Sequence, residues 1–189
     1  LLTVVGRLVD LWTDWLWFHD VGYTNVFGGL LRTKILLFLL FGLGMAAFLG
    51  GNLYLAYRLR PLLRTHSVEQ HALERYRMLI TPRIGLWISI LAGLIGLFAG
   101  LSAQGHWQQW MLYWNGDSFG VKDPVFSTDV GFYVFEYPFY RYLLDVGFTA
   151  TALAVIGSVA VHYLYGGVRL QGAGDRMSAG ARAHLTSLV

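Results

Sequence analysis

The chain has 189 residues, 56% of them hydrophobic and only 13% charged, with a mean hydropathy of +0.50; soluble domains carry about 25% charged residues, so an ordinary water-facing domain is excluded and lipid or a large partner must cover the excess apolar surface. The net charge of +3 does not argue for nucleic acid, because the basic residues adjoin hydrophobic runs and gather on no polar face. With no cysteine there is no disulfide, thiolate metal site or cysteine nucleophile in the sequence.

Residues 1–17 place Arg7, Asp10 and Asp14 at helical spacing among leucine, valine and tryptophan. Two readings stay open for them, a partial span and a helix lying in the membrane interface. The opening Leu1-Leu2 shows no signal-peptide pattern, and the chain is expected to be a fragment or a trimmed form. Residues 18–34 read as an outer loop.

Residues 35–57 hold no charge over 23 positions, a reach of about 34 Å as a helix against a hydrocarbon core of about 30 Å. Residues 58–83 form a basic loop in which Ser67, three residues before Gln70, opens a short helix through about Leu79, with His71, Glu74, Arg75 and Arg77 around its surface. A second span occupies 84–103, entered through Thr81-Pro82-Arg83. Residues 104–145 are rich in aromatic side chains and are expected to lie along the membrane surface: a short helix over His106–Trp114, a turn-rich loop over Asp117–Asp129, and an extended stretch over Val130–Tyr137 ended by Pro138. The third span covers 146–165, and 166–189 lead toward a missing span. The fold class is therefore all-α: a polytopic transmembrane helical bundle with an aromatic-rich interfacial extracytoplasmic segment.

Orientation follows from lysine and arginine in the short loops. Residues 58–83 and 166–189 hold nine arginines between them, whereas 18–34 and 104–145 hold four basic residues. The first pair of segments should be cytoplasmic.

Gly42, Ala46 and Gly50 repeat small residues every four positions, as do Gly96 and Gly100, so each helix has a face open to close backbone approach. Asn52 is expected to hydrogen-bond to a neighbouring helix, a contribution of about 0.6 kcal/mol. Arg58, Arg60, Arg64, Arg83, Trp107, Trp110 and Trp114 are candidates for meeting lipid headgroups. Arg7, Asp10, Asp14 and Asp145 would line a polar path if they lay at membrane depth, although charges near the outer end of a span more often reach headgroup water. Asp117, Asp123 and Asp129 recur every six residues; a calcium site needs six to eight oxygens, no calcium-loop pattern is present, and turn or cap roles explain them better. The six histidines show no metal-ligand spacing, and neither a serine elbow nor a phosphate-cradling loop occurs. No cofactor and no metal is expected.

Several motifs together resemble the uncharacterised protein family 0182. They are Asp14-Trp-Leu-Trp-Phe18, Gly22-Tyr23 with Val26-Phe27, Asn52 through Arg58 with Arg60-Pro61, Asp123-Pro124 with Phe126, Asp129 through Phe135, Pro138-Phe139, and His162 through Gly167 with Arg169. The resemblance implies large bacterial membrane proteins with several N-terminal spans before a big extracytoplasmic domain, of which this chain would match only the membrane part. It supplies no catalytic residues. One departure is Ser127-Thr128, where the family pattern commonly has a glycine after the phenylalanine, which leaves the local turn geometry open.

The expected function is a membrane scaffold or accessory subunit rather than an enzyme, in the bacterial inner membrane. Its partners would be membrane lipids and either other membrane subunits or the rest of its own larger chain. A transporter component with a polar path is the alternative. A membrane enzyme acting on lipid or envelope substrates ranks last.

Overall fold

The computed structural model describes residues 2–61, 68–169 and 176–189; the side chains of residues 2–4, 7 and 68–72 lie outside that description. The described chain is helical: α1 (Leu2–Asp20), α2 (Thr24–Arg58), α3 (Val68–Ile80), α4 (Ile84–Gln104), α5 (Trp107–Asn115), α6 (Tyr137–Leu164) and α7 (Ala179–Leu188). A 3-10 turn, Thr81–Arg83, joins α3 to α4, and a π-helical turn, Phe132–Glu136, leads into α6. Three helical segments are long and apolar enough to cross a membrane: Thr24–Arg58, Leu73–Gln104 and Phe132–Leu164.

These helices outrun the uncharged stretches. Charge ends an apolar run, but Arg32 and Lys34 are good helix formers and leave the α2 backbone intact. Pro82 sits in a helical first turn, where its missing N–H costs nothing, so α3 passes into α4 without a true break.

The expected extended stretch over Val130–Tyr137 is helical instead. Asp129 caps it: its carbonyl accepts from Phe132 N at 3.1 Å and its Oδ1 from Gly131 N at 2.7 Å. Pro138 falls at the first turn of α6, where proline starts a helix rather than ending a strand. Alternating aromatics imitated a strand because all of them are large and the helix is only half buried.

α2 is the central element, packed against α4 on one side and α6 on the other. Two buried clusters lie along it. Leu37, Ala103, Phe139 and Tyr142, walled by Phe41, Trp107 and Trp110, form the one at the aromatic end. Leu49, Leu53 and Ala154, with Ile88, Val161 and Leu188, form the one toward the basic end. α1 is peripheral, touching α2 through Phe18 and Phe27, whose rings are 5.5 Å apart. Trp12 and Trp17 on it stay exposed.

Candidate functional site

The closest helix contact is built from glycine. A Cβ placed on Gly96 would stand 2.6 Å from the Gly42 carbonyl oxygen and 2.8 Å from the Ala46 Cβ, and one on Gly100 would stand 2.6 Å from the Phe38 carbonyl oxygen. Gly50 faces Ala92 Cβ at 3.3 Å. The α2–α4 backbones therefore meet at a separation that side chains forbid, and the small-residue faces of both helices are used within this chain. On α6, Gly157 receives the Leu53 side chain in the same way.

The opposite flank of the α2–α4 pair is open. A groove of about 430 Å³ runs there, lined by Ala47, Gly51, Tyr54, Gly85, Ser89 and Gly93 among others. A Cβ added at Gly51, Gly85 or Gly93 would meet nothing within 4 Å. A second groove, about 380 Å³, separates α4 from α6 above α2; its wall is Phe41, Met45, Ile95, Phe98 and Leu153, and Ser102, His106 and Asp145 stand at its polar end. His106 stacks on Tyr142 with ring centroids 4.0 Å apart and has Nδ1 3.0 Å from the Ser102 carbonyl.

Asp145 pairs with Arg141 one turn away at 3.8 Å, both side chains well exposed. Asp10 and Asp14 lie exposed on α1. The Arg7 side chain lies outside the described residues, as do Arg64, Ser67, and the side chains of Gln70 and His71.

At the aromatic end, the loop between α5 and α6 is organised by one carboxylate. Asp129 accepts from Ser118 Oγ (2.7 Å), Phe119 N (3.0 Å), Gly120 N (2.9 Å) and Gly131 N (2.7 Å). The Ser118 hydroxyl and then these amides hold the Asp129 carboxyl below its ordinary value, since each hydrogen bond favours the ionised form. Asp123 closes the next turn, accepting from Phe126 N at 2.6 Å. Asp117 accepts from Ser118 N. With these carboxylates occupied by backbone and hydroxyl donors, the described residues contain no group of three or more His, Cys, Asp or Glu poised to hold a metal. Trp110 stacks edge-on against Phe139 (5.4 Å) and Trp114 (5.8 Å), and Trp107 lies under Lys34 Nζ at 5.6 Å; Trp114 is exposed.

Arg77 was expected on the surface of its helix, yet it is buried and donates from Nε to the Leu164 carbonyl, closing the C-terminus of α6. The surface reading failed because the carbonyl that Arg77 meets lies 87 residues away in sequence. Arg60 lies over the Tyr57 ring at 3.9 Å, and Tyr57 meets Tyr165 edge-on at 5.1 Å. Arg58 and Arg83 are exposed. Asn52 accepts at Oδ1 from His184 of α7 at 3.2 Å, and His184 in turn meets His162 of α6. Asn52 was expected to reach a neighbouring helix and does so; the two histidines it leads to gave no signal, because they lie far from it in sequence and share no recognisable spacing with it.

The family model for the uncharacterised protein family UPF0182 matches residues 1–189. The chain is 62% identical over its whole length to a UPF0182 protein of Salinispora arenicola, covering 19% of that protein. It is 49% identical over 94% of its length to a UPF0182 protein of Streptomyces coelicolor, covering 18%, and 42% identical over its whole length to one of Mycobacterium ulcerans, covering 19%. The chain thus spans about a fifth of the length of these relatives. No solved structure matches it.

Proposed function

Since the chain belongs to the uncharacterised protein family UPF0182 and covers about a fifth of its relatives, we propose that it is a membrane scaffold within a larger polypeptide. In this reading it is a multi-pass element of the bacterial inner membrane, with its basic end in the cytoplasm and its aromatic segment at the outer headgroup zone. The observation that carries the reading is the open groove on the α2–α4 flank, where Gly51, Gly85 and Gly93 leave backbone uncovered. In a bilayer such a surface favours another helix, because close backbone packing gains dispersion contacts that lipid tails fit poorly. The most economical occupant is a further helix of the same polypeptide, with a separate subunit second. The scaffold needs no chemistry from these residues.

A photo-crosslinking benzophenone side chain placed at Ser89 of the full-length protein in its native membrane tests this. The expected product is a cross-link to another helix of the same polypeptide, mapped by peptide mass spectrometry; a cross-link to a second polypeptide makes the chain an accessory subunit. Adducts with lipid alone contradict the scaffold. They would favour a transport role instead, for which Asp145 and His106 at the end of the α4–α6 groove are the supporting feature.

A further inference from the structure

Three side chains from three helices, two buried histidines and the half-buried Asn52, form a hydrogen-bonded line at the basic end. Asn52 Nδ2 donates to the Phe48 carbonyl at 2.8 Å, which leaves Oδ1 as the acceptor turned toward α7. His184 Nε2 lies 3.2 Å from that Oδ1, and His184 Nδ1 lies 3.2 Å from His162 Nε2. His162 is 0% and His184 3% exposed.

The hydrogens follow by elimination. Asn52 Oδ1 can only accept, so His184 Nε2 carries a hydrogen. A neutral His184 then offers a lone pair at Nδ1, so His162 donates from Nε2 and its own Nδ1 is a bare acceptor. That Nδ1 is buried and has no hydrogen-bond partner, and Ser158 Oγ, one turn earlier on α6, is buried and equally without one. Gly167 closes the site, since a Cβ there would stand 2.9 Å from His162 Nδ1.

The line is complete only while both imidazoles are neutral. One added proton at His184 Nδ1 reverses the His162 tautomer, buries an Nδ1–H without an acceptor and leaves a positive charge on which no carboxylate of the described residues acts. A second proton sets N–H against N–H. Of the described groups around the line, Tyr57 of α2 and Arg60 just beyond that helix are turned to Tyr165; Arg77 of α3 donates to the Leu164 carbonyl; Glu74 of α3 and Arg182 of α7 are exposed; and α6 adds the buried Ser158 hydroxyl and the half-buried Tyr163. Burial holds His184 below the ordinary imidazole value.

We propose that Asn52, His184 and His162 form a proton-sensitive latch, which docks α7 against α2 and α6 when both imidazoles are neutral and releases it when the basic end is acidified. The sign is set by linkage. A released His184 binds a proton near the ordinary value of about 6.5 and the docked one resists it, so docking is full above that pH and is lost as pH falls below it.

The absence of cysteine from this segment allows a direct test. In full-length protein in lipid nanodiscs, with any cysteines elsewhere replaced, Ala181→Cys reports the docked face, because Ala181 is fully buried, and Ala183→Cys reports the exposed one. The ratio of their thiol-labelling rates cancels the intrinsic pH dependence of the reagent. Between pH 7.5 and pH 5.5 the Ala181→Cys to Ala183→Cys ratio should rise at least about tenfold, the factor for release of one imidazole of ordinary pKa. In a His184→Gln background the ratio should lose that dependence. A ratio that stays flat with both histidines present overturns the latch, as does one that rises equally with His184 replaced.

Discussion

Asp129 performs two tasks with one carboxylate: it gathers the outer loop through Ser118, Phe119 and Gly120, and it caps the helix that begins just after it. Because its carboxyl is held below the ordinary value, its contribution is fully present above the usual carboxylate range and is lost as pH falls through the lowered value. Protection of the amides of Phe119, Gly120 and Gly131, taken relative to their intrinsic exchange rates, should therefore be full at neutral pH and fall only below the usual carboxylate range. Asp129→Ala should remove that protection at neutral pH, and unchanged protection in that variant would remove the carboxylate from its organising role. The turn role of the neighbouring Asp123 was readable from its place before Pro124. The helix that Asp129 starts was not, because the following aromatics carry no helical period. Ser127 shows another residue-scale limit: it adopts φ +55°, a left-handed conformation that costs a non-glycine residue about 1–2 kcal/mol. The turn geometry that the sequence left open at Ser127-Thr128 is settled by this conformation.

At the scale of elements, the α2–α4 contact rests on Gly42, Gly96 and Gly100. The small-residue spacing was plain in the sequence, but spacing says only that a backbone can be approached, and the approaching element had to come from the structure. Gly96→Ala forces a methyl to within 2.6 Å of the Gly42 carbonyl oxygen, against backbone that cannot yield, and overpacking of this kind costs about 1–3 kcal/mol. Gly44→Ala, where a Cβ meets nothing within 4 Å, is the control and should be neutral or mildly stabilising through helix propensity. Thermal unfolding in detergent should thus fall for the first variant and hold for the second; equal midpoints would mean that the two helices are not packed as described. The buried Arg77 belongs to this scale too. Its charge was legible in the basic loop, whereas its partner, a carbonyl at the end of α6, is separated from it by the whole of α4 and the aromatic segment.

For the whole molecule, composition alone indicated helices made for a membrane, and three helices of sufficient length and hydropathy are present. The uncharged stretches 35–57, 84–103 and 146–165 overlap the C-terminal parts of these helices, each of which begins more than ten residues earlier. Their ends were less legible, since helices continue through the headgroup zone wherever backbone and capping allow. The line from Asn52 to His162 depends on three segments meeting at one end of the bundle, and no single segment shows it. The account's central claim is that these spans cross the membrane with the basic end inside and the aromatic loop outside. Labelling with a membrane-impermeant thiol reagent on intact cells, with cysteine placed singly at Ser118 and at Ser178 of the full-length protein and any native cysteines replaced, tests it most directly. The account predicts that Ser118→Cys is labelled from outside and that Ser178→Cys is labelled only after the membrane is permeabilised; labelling of both from the same side, or the reverse order, would contradict it.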